Sequence, residues 1–366
     1  MKETKGKLRV GIVGATGMVG QRLVSLLDAH PWFDLRLLAA SRNSAGKPYR
    51  EAVKGRWALG TPMPETAGRL KVLDAAELET IADAVDFVFC AVSLPKKETR
   101  ALEEALARLE TPVISCNSAC RMLPDVPMLI PEINPGHAGV IEAQRKRLGT
   151  RRGFITVKPN CSIQTYVPAL TPLLPYRPSA VVACTYQAVS GAGKTMADWP
   201  EMERNVIPFI AGEEEKSERE PLKIWGGFRE GDTGIRDAEQ PLISAQCVRV
   251  PVDDGHLAAV SVRFEDKPKR EDILRLWREW EPAPQRMKLP SAPRPFLVYR
   301  EEDDRPQPAL DRDAGGGMAV VLGRLREDPV LDWRFVSLSH NTLRGAAGGS
   351  VLSAELLQAQ GYLERK

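Results

Sequence analysis

Residues 8–30 read LRVGIVGATGMVGQRLVSLLDAH, and three signals in that stretch decide the fold. Leu8 to Val13 form an apolar run of strand length. Glycines follow at 14, 17 and 20, and QRLVSLLDAH then carries apolar residues at helical spacing. A second apolar run, Leu35 to Ala40, comes about twenty residues after the glycines. Strand, glycine turn, helix and strand make one βαβ unit. The alternation continues: VDFVFCAV (85–92) reads as a strand, ETRALEEALARLE (98–110) as a helix and PVISC (112–116) as a strand. The expected α/β first layer is a doubly wound parallel sheet.

In that context the glycines have a physical task. The early ones let backbone N–H groups approach a pyrophosphate at the helix N-terminus, and the last lets helix and strand pack closely. The turn is therefore of Rossmann type, with Gly14, Thr16, Gly17, Met18 and Val19 as candidate nucleotide contacts. A carboxylate at the end of the second strand would select a free ribose 2′-hydroxyl. Here the run is ASRNSAGK (40–47), and Ser41, Arg42, Ser44 and Lys47 are donors suited to a 2′-phosphate. The expected cofactor is NADP. By contrast SGAGKT (190–195) is no phosphate-binding P-loop, because that motif needs glycine where Ala188 stands.

Composition sets the frame. The 366 residues suggest about two domains, and 43% hydrophobic with 27% charged residues excludes a disordered chain. A net charge of +3 argues against nucleic acid or an anionic membrane as the main partner. No apolar run approaches the ~20 residues of a bilayer span. The start, MKETKGKLRVGIVG, reads as running directly into a strand without a signal peptide. Six cysteines form neither a disulfide framework nor a metal-ligand set, so the expectation is a reducing, cytoplasmic setting and no metal.

The character changes near residue 150. AVVACTYQAVS (180–190), ISAQCVRVPV (243–252), HLAAVSVRF (256–264) and MAVVLGRLRED (318–328) alternate as a mostly antiparallel sheet with one covered face would. KLPSAPRPF (288–296) and DRDAGGGM (311–318) read as loops, and AAGGSVLSAELLQAQ as a closing helix. The organisation expected is a nucleotide domain over 1–155 and a second, α+β domain over 156–340.

Lys158-Pro-Asn160-Cys161-Ser162 precedes the apolar TYVPALTPLL. A cysteine at a helix start feels the positive end of the dipole and becomes a better nucleophile, although many such cysteines are simply small buried residues. A nucleotide domain followed by a cysteine domain suits an aldehyde dehydrogenase with a thioester intermediate. Of four histidines, His256, after the Asp253-Asp254-Gly255 turn, is the best acid/base. His30 reads as a dipole partner at the first helix end, His137 lies in a loop, and His340 stands beside the C-terminal motif.

GIVGATGMVGQRL, SRNSAGK, RMLPDVPMLIPEIN, KPNCS, QAVSGAGK, EPLK, RVPVDDGH and NTLRGAAGG occur in that order. The chain thereby resembles the aspartate-semialdehyde dehydrogenases over nearly its whole length, most closely their archaeal and fungal-type branch. The resemblance implies NADPH-dependent reduction of L-aspartyl 4-phosphate to L-aspartate 4-semialdehyde through a cysteine thioester, on the route to diaminopimelate, lysine, threonine and methionine. It implies Cys161 as nucleophile with Asn160 beside it, Gln187 positioning the substrate and His256 as acid/base. It further implies Arg249 on the substrate α-carboxylate, Glu220 on the amine, and Arg121 with Lys223 near phosphate. Ser190, Gly191 and Asn341 would lie at the nicotinamide. The C-terminal segment 341–366 would return to the first domain, and a homodimer or homotetramer would form through the second domain's sheet. Close relatives acting on malonyl-CoA or N-acetylglutamyl phosphate, and a non-catalytic NADP-binding paralogue, are the alternatives; a retained Glu220 speaks against the first two.

Two points stay open in the residues themselves. Glu220 would also complete a capping box with Ser217 or form an exposed i,i+3 pair with Lys223. A regular hairpin turning at Asp253 to Gly255 puts Arg249 and His256 on opposite faces, so their convergence needs a bulge. Ile163 and His340 depart from the residues common at those places in the family.

Overall fold

The computed structural model describes residues 6–366. Its first sheet holds six parallel strands in the order β3-β2-β1-β4-β5-β6. They are β1 (Leu8–Val13), β2 (Phe33–Ala40), β3 (Val72–Asp74), β4 (Phe87–Cys90), β5 (Val113–Ser115) and β6 (Ile155–Val157). The chain winds outward from β1 to β3, then returns to place β4 against the other side of β1. That reversal is the switch point where open α/β sheets bind ligands, and the Gly14 turn sits at it. The last strand of this sheet ends at Val157.

Both faces are covered. Leu23, Val24 and Leu27 of the first helix (Met18–Leu27) pack with Val351, Ala354 and Leu357 of the last helix (Gly348–Ala359) over Val10, Ile12, Phe87 and Phe89. Val13, Val88, Val113 and Ile155 face the other way, into a cluster continuing through Tyr166, Leu170, Val181, Val260, Trp277 and Phe335. One apolar core thus joins the first sheet to the second.

The remaining strands are β7 (Pro178–Gln187), β8 (Gly227–Phe228), β9 (Ile235–Arg236), β10 (Leu242–Arg249), β11 (His256–Phe264), β12 (Leu297–Arg300), β13 (Val320–Glu327) and β14 (Trp333–Ser339). The short β8–β9 ribbon stands apart, and the second sheet has the order β10-β7-β11-β14-β13-β12. Three of its pairings are antiparallel; β10 with β7 and β12 with β13 are parallel. Along β7 the residues alternate, with Val181, Ala183, Thr185 and Gln187 inward and Val182 and Tyr186 outward. The stretch read as a loop at 311–318 follows the helical turn Pro308–Asp311, and within it Gly315 and Gly316 take positive φ.

One expectation is corrected. β10 and β11 are not hairpin partners, because β7 lies between them. Arg249 is in register with Gln187, and Leu257 with Tyr186, so His256 comes next in line with Gln187. Residues in register share a face, so Gln187, Arg249 and His256 form one row and no bulge is needed.

Candidate active site

That row lies at the end of the second sheet that meets the C-terminal edge of the first. Gln187 is buried; its Oε1 accepts from Thr185 Oγ1 at 3.1 Å, and its Nε2 donates to Glu213 Oε2 at 3.3 Å. Arg249 donates Nη1 to the Ala188 carbonyl at 2.6 Å, while its buried Nε has no partner. His256 Nδ1 accepts the Ala188 N–H at 3.0 Å. The neutral ring therefore carries its proton on Nε2. Burial, then Arg249, pushes the His256 pKa down to about 3, so the ring stays neutral at physiological pH.

Cys161 Sγ lies 3.4 Å from His256 Nε2. Asn160, just before it, accepts the Ser162 N–H and Oγ–H on Oδ1, both at 2.7 Å, which fixes the turn. The long helix expected after Cys161 is not formed. Pro168, Pro172 and Pro175 divide the segment into a three-residue 3₁₀ turn (Ser162–Gln164), a four-residue helix (Val167–Leu170) and another 3₁₀ turn. So short a turn carries little macrodipole. The thiol is instead raised above its ordinary pKa, by burial first and Glu213 next, against the pull of Lys158, Arg121 and Arg249.

The helix Glu213–Ile224 presents the Glu-x-x-Lys spacing twice, seven residues apart and hence on one face. Its start at Glu213 removes the capping-box reading of Ser217 and Glu220. Glu220 is 2% exposed and binds Arg121 Nη1 at 2.9 Å and the Asn160 N–H at 2.6 Å. Lys223, expected at phosphate, is corrected: its three protons go to the carbonyls of Arg121, Leu123 and Val126 at 2.6, 2.7 and 2.9 Å. The earlier pair faces the site. Glu213 Oε2 accepts from Asn160 Nδ2 at 2.8 Å, and Glu213 Oε1 binds Lys216 Nζ at 2.8 Å. Burial alone would raise the Glu213 carboxyl, but Lys216, Asn160 and Gln187 together hold it below its usual value.

A cleft of about 260 Å³ joins these parts, with Cys161, Asn160, Arg121, Glu213, Lys216 and Lys158 on its walls. Sequence reasoning missed Glu213, Lys216 and Lys158. GEEEKSEREPLK holds both Glu-x-x-Lys pairs in plain view, but only the helix phase tells them apart.

Val19, Ser190, Gly191 and Asn341 line the same cleft from the nucleotide side. Asn341 accepts the Gly255 N–H at 2.8 Å and donates to Ser190 Oγ at 2.8 Å. The glycine turn fits a dinucleotide. Gly14 has φ +93°, and a Cβ there would run into the Ala91 carbonyl. No side chain caps the first helix at Gly17, which leaves its N-terminal amides to a phosphate. At the end of β2, Arg42 is exposed, Lys47 donates to the Asn43 carbonyl at 3.1 Å, and Ser44 is tucked in the turn. Among the described residues none of these donors meets a carboxylate, as a 2′-phosphate reader requires.

From the far end of the chain, the π-helical turn Leu343–Ala347 packs under the nucleophile: a Cβ on Gly345 would come within 2.7 Å of the Cys161 Cβ. The other histidines make contacts away from the sulfur. His30 accepts two backbone N–H groups on Nδ1 and meets Glu355 at 2.9 Å, rather than acting as a dipole partner. His137 lies in the 3₁₀ turn Pro135–Val140 against the Gly226 carbonyl. His340 is buried 3.8 Å from Asp313, and burial pushes it down to about 4.

Two family profiles match the chain: "Semialdehyde dehydrogenase, NAD binding domain" over residues 9–140 and "Semialdehyde dehydrogenase, dimerisation domain" over 170–344. An aspartate-semialdehyde dehydrogenase of Methanothermobacter thermautotrophicus is 44% identical over 354 residues, covering 96% of this chain and 99% of the relative. One from Aspergillus fumigatus is 39% identical over 364 residues, 98% of this chain and 99% of the relative. The crystal structure of the Candida albicans aspartate semialdehyde dehydrogenase with NADP superposes with a TM-score of 0.87 at 37% identity, covering 96% of this chain and 99% of that one. With a glycine turn at the sheet's switch point, a cysteine facing an imidazole and full-length likeness to these proteins, the chain belongs to the aspartate-semialdehyde dehydrogenase family.

Proposed function

We propose that the protein reduces L-aspartyl 4-phosphate to L-aspartate 4-semialdehyde and phosphate, reversibly, as its family's name describes. The observation that carries this reading is the pairing of Cys161 with His256 at 3.4 Å in a cleft walled by Arg121, Lys216 and Glu213. The Cys161 sulfur attacks the acyl carbon, the C–O bond to phosphate breaks, and a thioester remains on Cys161. Arg121 and Lys216 take the charge of the departing phosphate. NADPH, when bound, supplies the hydride that reduces the thioester, and the C–S bond then breaks to free the aldehyde and return Cys161 as thiolate. The Nε2–H of His256 donates to the oxygen that gains charge as the acyl carbon becomes tetrahedral. Arg249, with a donor unspent, suits the α-carboxylate; Glu213, anchored by Asn160 and Gln187, suits the ammonium; Gln187 keeps that carboxylate in place.

Glu220 and Lys223 stand behind this wall as supports for Arg121. The nucleotide part is taken as residues 1–155 with the closing segment 341–366, supported by the packing of the last helix on the first; residues 156–340 form the catalytic part. Homodimerisation through the outer face of the second sheet is supported by exposed Val182, Tyr186 and Leu242 on adjacent strands. Six free cysteines fit a cytoplasmic protein of amino-acid biosynthesis.

The test is a substrate panel with purified protein: aspartyl phosphate, N-acetylglutamyl phosphate and malonyl-CoA with NADPH, and the semialdehyde with phosphate and NADP. Turnover of the aspartyl compounds alone is expected. Preference for malonyl-CoA or the acetylated compound would remove the substrate assignment, and no turnover at all would remove the enzyme reading.

A further inference from the structure

We infer that Lys158 is the cation that offsets the burial of Cys161 and lets its thiol ionise for attack. This rests on the proposed reading of Cys161 as the nucleophile and adds what activates it. Two usual sources of activation are weak here. The turn after Cys161 is three residues long, too short for a useful dipole. His256 faces the sulfur with Nε2, while its Nδ1 is held as an acceptor by the Ala188 N–H. To take the thiol proton on Nε2, the ring would have to carry its own proton on Nδ1, directly against that N–H. As built, it donates toward sulfur and is not placed to take the thiol proton.

Lys158 follows β6 and stands three residues before Cys161, on the wall of the same cleft. It is 4% exposed, and its stem runs beside Gly349. Its Nζ donates to the Pro159 carbonyl, and among the described residues no carboxylate lies within ion-pair distance of it. A buried ammonium without a carboxylate is costly to keep unless an anion offsets it. The charged and titratable groups around Cys161 are Lys158, Arg121, Arg249, His256 and Glu213; those around Lys158 are Arg121, Cys116, Cys161 and Glu220. Arg121 is matched by Glu220 and Lys216 by Glu213, which leaves Lys158 and Arg249 without carboxylates. Of the cations, Lys158 pulls hardest on the thiol. Burial, then Arg121, brings Lys158 itself down to about 8, so it stays mostly protonated near neutral pH. Ionisation breaks the S–H bond and sends the proton to solvent; Lys158 keeps its own three.

The experiment follows alkylation of Cys161 by iodoacetamide against pH in the full-length protein without substrate, with the modified peptide located by mass. K158M and K158Q should raise the apparent pKa of alkylation by about one unit or more, slowing the reaction roughly tenfold near neutral pH. K158R, which keeps the charge, should stay within about threefold of the unmodified protein. NADP binding by each variant reports folding; should K158M fail to fold, K158Q and K158R carry the comparison. Folded K158M or K158Q with an unchanged profile would overturn the inference, as would K158R reacting as slowly as K158Q. Failure of the unmodified protein to turn over semialdehyde, phosphate and NADP would strike the proposed reaction and leave the alkylation profile standing.

Discussion

Replacing Glu220 by Gln separates a supporting carboxylate from a substrate-binding one. Glu220 accepts from two donors, Arg121 Nη1 at 2.9 Å and the Asn160 N–H at 2.6 Å, and it is almost fully buried. A glutamine has one acceptor oxygen and one donating amide, so it satisfies one of these partners and confronts the other with a donor. Either Arg121 or the backbone beside Cys161 is left unpaired. Breaking a buried ion pair by changing one partner costs about 3–5 kcal/mol. At about 2.1 cal/mol/K per residue, 366 residues unfold with an entropy near 0.8 kcal/mol/K, so Tm should fall by roughly 4–6 °C. Differential scanning fluorimetry reads this directly. In the oxidative direction KM for phosphate should rise through Arg121, while KM for the semialdehyde changes little. Glu213→Gln should do the reverse, raising KM for the semialdehyde with a smaller change in Tm. A Glu220→Gln protein of unchanged Tm whose only defect is semialdehyde binding would refute this assignment and restore Glu220 to the substrate amine.

Arg42→Ala removes a charge-assisted contact to the 2′-phosphate, worth about 1.5–3 kcal/mol, so NADP affinity should fall roughly 10–150-fold with NAD nearly unaffected; titration of both nucleotides decides it, and equal losses would remove Arg42 from the reader. His256→Ala removes the Nε2–H donor to the oxygen that gains charge and should lower kcat by roughly 10²–10³-fold; a change confined to KM would make His256 a binding residue. Because His256 is held near 3, kcat/KM should show no limb at the ordinary histidine pKa of about 6.5, and a clear break there would contradict a permanently neutral ring. Gly345→Ala brings a methyl within 2.7 Å of the Cys161 Cβ and should displace the nucleophile, lowering kcat at least tenfold while NADP binding persists; full activity would show that the π-turn can give way.

The nucleotide half was legible because its information is local. Strand, glycine turn and helix follow one another between Leu8 and Leu27, and the alternation of apolar runs implies the rest of the parallel sheet. The catalytic row was hidden because its geometry is not local. Nothing in ISAQCVRVPVDDGHLAAVSVRF says that β7, more than fifty residues earlier, lies between the two strands that look like a hairpin. The pairs Glu213–Lys216 and Glu220–Lys223 are equivalent on a helix face, and only packing against Asn160 and Arg121 distinguishes them. The short turn after Cys161 was readable, since prolines at 168, 172 and 175 forbid a continuous helix; the apolar spacing of TYVPALTPLL masked them.

The passage of the turns at 343–359 beneath Cys161 bears on how the protein is made. A ribosome releases Cys161, Gln187, Arg249 and His256 long before Leu343 to Ala359, so a growing chain holds every reacting side chain yet lacks the surface on which the sulfur rests. The face of the first sheet that Val351, Ala354 and Leu357 fill stays open for the same interval. Docking of residues 343–359 therefore seals the nucleotide fold and seats the nucleophile in one event, and a chain lacking those residues carries the chemistry in its sequence without the geometry to perform it.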